Sequence, residues 1–239
     1  MRIFLIRHGE SVGNINDKAY GEMQDHNVPL TEWGFEQSVA AGKFLKEFYE
    51  NRDDIADKKL RIWYSPFIRA VQTKDGFIKG FGKKRTDGVF EDFLLGEQDF
   101  GIFSDIPDEK EQERLFPAEF KKVAACREKM GKFYARPPMG ESRADVAQRV
   151  RLFVETLMRD ANRGRQDFAI IAHGVTNRAF EMTFMHKGVA WFEKEPNPGN
   201  CDIVLIEGDR HSGYSARVVY KGKLRGPQKA NTKTAAYKP

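Results

Sequence analysis

Two apolar runs in this chain end on the same step. Ile3-Phe4-Leu5-Ile6 leads into Arg7-His8-Gly9-Glu10-Ser11, and Phe168-Ala169-Ile170-Ile171-Ala172 leads into His173-Gly174. Each pattern reads as a buried strand that delivers a histidine to its carboxyl end. Ligand crevices in open α/β sheets lie outside those ends, so His8 and His173 are expected to meet there despite their separation in sequence. Phosphoryl transfer suits such a pair. A phosphate monoester is close to a dianion near neutral pH, and arginine offers it planar, permanently charged forks. Arg7 beside His8, and Arg69 shortly after another strand, are the candidate forks. On this reading His8 attacks phosphorus and becomes a phosphohistidine, while His173 steadies charge on the equatorial oxygens. The Asn14 amide and backbone N–H groups at Gly9 and Gly174 hold the remaining oxygens. An acid must protonate the leaving alkoxide. Glu97 is the first choice, with Asp99 and Glu141 behind it, and Phe100 and Phe103 are expected to give Glu97 a partly apolar cover.

Two other chemistries fit less well. Gly9-Glu10-Ser11-Val12-Gly13 matches the G-x-S-x-G of serine hydrolases, but only one strand precedes it, whereas a nucleophile elbow follows several strands and an oxyanion loop. A metal site finds no support in the five histidines, His8, His26, His173, His186 and His211, since none pairs at i, i+4 or clusters with cysteine. Cys126 and Cys201 have no metal or disulfide spacing.

The elements that must position these residues alternate. After the first strand, residues 12 to 29 read as a long loop around the site. Thr31 caps a helix whose inner face carries Phe35, Val39, Gly42, Leu45 and Tyr49. Strand 60 to 64 ends in Ser65-Pro66, and the helix opened by Pro66 carries Arg69, Gln72 and Thr73 in its first turns. A short strand is expected over 89 to 95. The alternation breaks at 100 to 140, where a helix from Pro117 to Tyr134, with Phe120, Val123, Met130 and Phe133 inward, is expected to cap the active rim as a lid. Ser142 and Asp145 form a capping box for a helix that buries Val146, Val150, Phe153, Val154 and Leu157. Strand 167 to 172, a helix over 176 to 187, and strands 202 to 207 and 215 to 220 finish the sheet. The fold expected is a three-layer α/β sandwich: a mostly parallel six-stranded sheet with helices on both faces and a helical insertion over the rim.

Length and charge are consistent with that picture. A chain of 239 residues, 40% hydrophobic and 31% charged, fits one α/β domain, taken as residues 1 to 221. The net charge of +5 is carried by Lys223, Arg225, Lys229, Lys233 and Lys238, so residues 1 to 221 are neutral overall. Residues 222 to 239 are expected to be a mobile basic tail, and nucleic acid is not the expected partner. Only four apolar residues separate Arg2 from Arg7, which gives no signal-peptide or membrane pattern; a cytoplasmic monomer or homodimer is expected.

Taken together, these motifs resemble the histidine phosphatase superfamily, the phosphoglycerate mutase-like fold. The matching pieces are Arg7 to Ser11 with Asn14, Pro29-Leu30-Thr31-Glu32-Trp33-Gly34, Ser65-Pro66-Phe67-Ile68-Arg69 with Ala70 to Thr73, Glu97 to Gly101, Gly140-Glu141-Ser142, and His173-Gly174. They occur in family order over about residues 1 to 220. The resemblance implies that His8 is phosphorylated, that Arg7, Asn14, Arg69 and His173 bind the phosphoryl group, that Glu97 is the proton donor, and that no metal is needed. The Trp-Asn step and Phe-x-Gly-Trp segment usual in cofactor-dependent mutases are absent, and scattered Arg114, Lys121, Lys122 and Arg127 stand where mutases carry an arginine pair. A phosphomonoesterase is therefore expected, acting on a small phosphorylated metabolite or on broad-range monoesters and nearest to eukaryotic mutase-like proteins. A phosphoglycerate mutase, with 2,3-bisphosphoglycerate as cofactor, is the alternative, and a phospho-ligand or RNA binding module is the second.

Overall fold

A computed structural model describes residues 1–16, 19–106, 108–223 and 236–237. Strand β1 (Arg2–Arg7) is followed by two short helices, α1 (Val12–Ile15) and α2 (Ala19–Glu22), and a 3-10 turn (Asp25–Asn27). The described residues between 12 and 29 thus form short helices and a 3-10 turn where a long loop was expected. Helix α3 (Glu32–Glu50), strand β2 (Leu60–Tyr64), helix α4 (Ile68–Phe81) and strand β3 (Thr86–Glu91) come next. Helices α5 (Glu109–Leu115) and α6 (Pro117–Met130) form the insertion; the long helix α7 (Arg143–Asn162) then leads to β4 (Asp167–Ala172). Helices α8 (Gly174–Phe184) and α9 (Val189–Lys194) precede β5 (Ile203–Asp209) and β6 (Gly213–Tyr220).

The six strands form one sheet in the order β3-β2-β4-β1-β5-β6. β1 pairs in parallel with β4, β4 with β2 and β2 with β3, whereas β5 runs against both β1 and β6. Central strands covered on both faces read as continuous apolar runs, as β1 and β4 do. Ile3, Leu5, Phe168 and Ile170 face one layer, packing on Val146, Val150, Phe153 and Leu157 of α7 and Phe180 of α8. Phe4, Ile6, Ala169 and Ile171 face the other, against Leu45 and Tyr49 of α3 and Phe77 and Phe81 of α4. The expected three-layer, mostly parallel architecture is the one observed.

Several elements differ from the expectation for identifiable reasons. β3 starts and ends earlier, because Asp92 accepts a hydrogen bond from Leu94 N and folds Phe93–Leu95 into a 3-10 turn. α6 ends at Met130, where Gly131 adopts φ 82°, and Met130 is exposed. α8 begins at Gly174 and stops at Phe184; His186 then takes φ 53°, and the separate α9 follows. On α3 the buried set is Gln37, Ser38, Ala41, Gly42, Leu45 and Tyr49, while Phe35 and Val39 are half-buried. Polar Gln37 turns inward because it accepts from Glu10 N at 2.8 Å and donates to Lys223 O at 2.7 Å. The Thr31 cap and the Ser142–Asp145 box form as expected. Most of the expected mobile tail lies outside the described residues. Within it, Tyr237 stacks on Phe35 with ring centroids 4.0 Å apart.

α3 and α4 cross with their backbones in contact, and glycine permits it. A Cβ on Gly42 would run into the Phe77 carbonyl, and one on Gly80 into the Val39 carbonyl. No side-chain rotation relieves a clash with backbone, so the helices would have to separate. Gly42→Ala should therefore cost about 2 kcal/mol net, even after a helix-propensity gain of roughly 1 kcal/mol. Gly188→Ala, where a Cβ meets nothing within 4 Å, should stay within about 0.5 kcal/mol. Urea unfolding of the two variants checks this, and equal midpoints would refute the packing argument.

Candidate active site

β1 and β4 lie side by side with Arg7 opposite Ala172, so the next residue of each strand, His8 and His173, leaves the sheet at the same level. Their ring centroids are 5.2 Å apart. The backbone beyond β1 is fixed from several sides. His8 N donates to Ala172 O at 2.9 Å, Gly9 N to Thr73 Oγ1 at 3.0 Å, and Asn200 Nδ2 to His8 O at 3.1 Å. Gly9 and Gly34 are packed backbone to backbone, since a Cβ on Gly9 would overlap the Gly34 carbonyl and one on Gly34 the Glu10 carbonyl. This contact explains why the segment at 29 to 34 sits beside the site.

Both imidazoles are neutral in this setting. Burial, followed by the nearby charges of Arg69 and Arg7, holds His8 well below its ordinary value of 6.5. Burial also lowers His173, with Arg69, His8 and Arg7 adding to it. His8 Nδ1 lies 2.8 Å from Gly9 O, which makes Nδ1 the donor and leaves the Nε2 lone pair free. Ser65 Oγ lies 2.7 Å from His173 Nε2 and accepts from Phe67 N at 3.3 Å, which fixes the orientation of the ring.

The cations are close by. Arg69 is 3% exposed, and its Nη1 approaches Asp25 Oδ1 at 2.9 Å. Arg7 Nη1 donates to Pro198 O at 2.7 Å. Arg7 Nε, Arg69 Nε and His173 Nδ1 are buried with no hydrogen-bond partner among the described residues. Buried donors are ordinarily satisfied, and Arg7 and Arg69 line one cavity with His8, so their unpaired nitrogens suit an anion bound in this cup. Asn14 fits the same cup: its Oδ1 accepts from Ser11 N and Asn200 Nδ2, which leaves its own N–H groups directed elsewhere.

The acid candidates separate clearly. Glu97 lines the same cavity as His8, Arg7 and Arg69. It sits at the N-terminus of α8, accepting from Val175 N and Thr176 N, both at 3.2 Å, and from Gln98 N at 3.0 Å. Its surroundings are therefore polar, not the apolar cover expected, although Phe100 and Phe103 do line the cavity. Glu141 is tied to Arg149, which also donates to the carbonyls of Leu94, Gly96 and Glu97. Asp99 is spent on Gly101 N. Neither lines the cavity; Ser11 is fully buried off it, which removes the serine-hydrolase geometry, and His173 and Gly174 are also absent from the lining, His173 joining the site through its ring contact with His8.

Arg149, Asn200 and Thr176 are not marked in the sequence, because each acts on backbone and side-chain groups that only folding brings close. The same holds for Asp25 at Arg69. The cavity measures about 440 Å³, and much of its wall comes from residues 100 to 143. No helix among the described residues is long and apolar enough to cross a membrane.

Comparison with known proteins fits this geometry. A sequence model described as Histidine phosphatase superfamily (branch 1) matches residues 3–220. A phosphoglycerate mutase-like protein of Arabidopsis thaliana is 37% identical over 217 residues, spanning 86% of this chain and 73% of that one. A broad-range acid phosphatase of Saccharomyces cerevisiae is 25% identical over 295 residues, 87% of this chain and 85% of its own. Among solved structures, a mycobacterial glucosyl-3-phosphoglycerate phosphatase superposes with a TM-score of 0.69 at 23% identity, covering 93% of this chain and 99% of that one. This last likeness speaks to the fold.

The neutral rings set a pH dependence of stability. Both bind a proton more weakly in the folded chain than in the unfolded one. On acidification the unfolded chain gains protons first, so stability is complete above about pH 6.5 and falls below it. The slope approaches about 1.4 kcal/mol per pH unit for each ring. Urea midpoints from pH 7.5 to 5.0 should show this fall, with a shallower slope in His8→Asn and in the presence of saturating phosphate, whose charge favours protonated rings. A flat profile would contradict the neutral-ring assignment.

Proposed function

The chain belongs to the histidine phosphatase superfamily, branch 1, an enzyme superfamily, and on that premise we propose that it hydrolyses phosphate monoesters through a phosphohistidine on His8. The observation that carries this reading is the cup itself: His8, with its Nε2 lone pair free, shares one cavity with Arg7 and Arg69, each of which keeps a buried nitrogen without an acceptor. A monoester dianion would satisfy Arg7, Arg69 and His173 Nδ1 together, with Asn14 Nδ2 and the Gly174 N–H completing its coordination.

In the first step His8 Nε2 donates its lone pair to phosphorus and the bond to the ester oxygen breaks. Glu97, in its acid form, gives that oxygen its proton, and the alcohol leaves. In the second step the Glu97 carboxylate takes a proton from water as the water oxygen attacks phosphorus. The P–N bond breaks, and phosphate and neutral His8 are restored. His173, neutral when the site is empty, stabilises the equatorial oxygens through its Nδ1 proton. The reading draws on no metal and no cofactor. 2,3-Bisphosphoglycerate would enter only if the phosphoryl group were returned to a second hydroxyl instead of to water.

Phosphatase is favoured over mutase because a phosphatase needs only to admit water, and the relatives include a broad-range acid phosphatase. Purified protein should hydrolyse para-nitrophenyl phosphate in the presence of EDTA and leave radiolabel on His8 after rapid quenching. His8→Ala should abolish both, and label on any other residue would overturn the assignment. Glu97→Gln should slow alkyl phosphates by about 10²–10⁴-fold but aryl phosphates much less, since good leaving groups need no proton. Equal losses on both would remove Glu97 from the donor role. Isomerisation of 3-phosphoglycerate that depends on 2,3-bisphosphoglycerate and outpaces hydrolysis would establish the mutase instead.

A further inference from the structure

The loop between α9 and β5, residues 195 to 202, touches parts of the site that come from three other places in the chain. Pro198 O accepts from Arg7 Nη1 at 2.7 Å, and the Asn197 side chain lies against Gly174, where a Cβ would overlap it. Asn200, half-buried, reaches two more residues. Its Nδ2 donates to His8 O at 3.1 Å and to Asn14 Oδ1 at 3.0 Å. We infer that Asn200 is a positioning residue, which sets the aim of His8 and the orientation of the Asn14 amide through one side-chain nitrogen. This assignment rests on the phosphomonoesterase reading above.

On the His8 side the contact fixes a peptide plane. His8 O and Gly9 N belong to one planar peptide unit; Asn200 holds its oxygen, and Thr73 Oγ1 accepts from its N–H at 3.0 Å. With both edges held, the next carbonyl, Gly9 O, stands 2.8 Å from His8 Nδ1. That acceptor keeps the ring proton on Nδ1 and the lone pair on Nε2. Releasing His8 O would let this peptide turn, and the ring would lose the restraint on its angle and its tautomer.

On the Asn14 side the contact chooses which end of an amide faces the ligand. An amide carries an acceptor at one end and donors at the other. Asn14 Oδ1 accepts from Ser11 N at 3.1 Å as well as from Asn200, so Nδ2 is the end left for a phosphoryl oxygen in the cavity that Asn14 lines. Without Asn200 only Ser11 N would hold it. A turned amide would present its oxygen to a dianion.

The loop carries strain where Asn200 sits. Cys201 adopts φ 57°, a left-handed conformation uncommon for a non-glycine residue, and is fully buried with its N–H donated to Arg7 O at 3.1 Å. Asp202 accepts from Gly199 N and Gly222 N, both at 2.9 Å, which ties the loop to the segment after β6. Gly222 packs on the Asn200 carbonyl, which a Cβ there would overlap. Such strain persists where the surroundings over-determine it, and it concentrates at functional sites. A loop that only joined α9 to β5 would have no use for it.

Three readouts test the role. With para-nitrophenyl phosphate, Asn200→Ala should lower kcat by about 10- to 100-fold, as a misplaced reacting group does, and Asn200→Gln, which keeps a donor amide, should recover part of the loss. Calorimetry with inorganic phosphate reads Asn14. Asn200→Ala should weaken binding as much as Asn14→Ala, and the double variant by less than about twofold more, because residues that act as one unit do not add. Nitrogen-15 NMR of the His8 ring should show the Nδ1–H tautomer in the wild type and a mixture in Asn200→Ala. A merely structural role would lower the urea midpoint and leave all three at wild-type values in the folded protein. Wild-type kcat, phosphate affinity or tautomer in Asn200→Ala, or losses that multiply in the double variant, would overturn the assignment. Should Asn200→Ala not fold, Asn200→Asp, alike in shape but without a donor, replaces it in each measurement. Should the wild type hydrolyse no monoester, the phosphatase reading fails by itself, and phosphate affinity and the His8 tautomer still decide the role of Asn200.

Discussion

Two guanidinium groups buried beside two uncharged imidazoles are the constraint from which the rest of this molecule follows. Removing a cation from water is costly unless an opposite charge or hydrogen-bond acceptors replace the water. Here the replacement is incomplete, because Arg7 and Arg69 each keep a buried nitrogen without an acceptor. The positive field lowers proton affinity on both rings and keeps an attacking lone pair available. The same groups therefore suit His8 to the nucleophilic role proposed for it and favour an anionic ligand. Asp25 offsets part of that field from the exposed side.

Holding such a cluster requires a polar scaffold inside a core that would otherwise be apolar. Gln37, Gln72, Thr73 and Ser65 are buried, and their hydrogen bonds run to Glu10 N, Leu30 N, Gly9 N and His173 respectively. Each satisfies a group next to the reaction centre. A comparable set fixes the Glu97 loop, where Arg149 joins three loop carbonyls to Glu141 and Thr176 Oγ1 donates to Gly96 O at 2.6 Å. The acid is thus held by α7 and α8 together, although it belongs to neither.

The parts legible in the sequence were those written in local pattern. Strands ending on His8 and His173, the caps at Thr31 and Ser142, and the motif carrying Arg69 all follow from runs of a few residues. Less legible were features set by tertiary packing. The inward face of α3 is rotated toward Gln37 because its partners, Glu10 and Lys223, lie on distant segments, and Phe35 is drawn to Tyr237. The division into α8 and α9 depends on a left-handed backbone at His186 that composition does not mark. Sequence pattern ranks Glu97 ahead of Asp99 and Glu141, but its place in the cavity follows only from α8, whose N-terminal amides it meets.

The opposition of Arg7 and Ala172 makes the reaction centre a vernier on the sheet. Displacing β1 by one position along β4 would shift His8 about 3.3 Å and turn its neighbours toward the opposite helical layer. The two rings would then no longer face a common anion. A misaligned sheet would part His8 from His173, so on the proposed mechanism turnover would certify that the central strands have found their proper alignment.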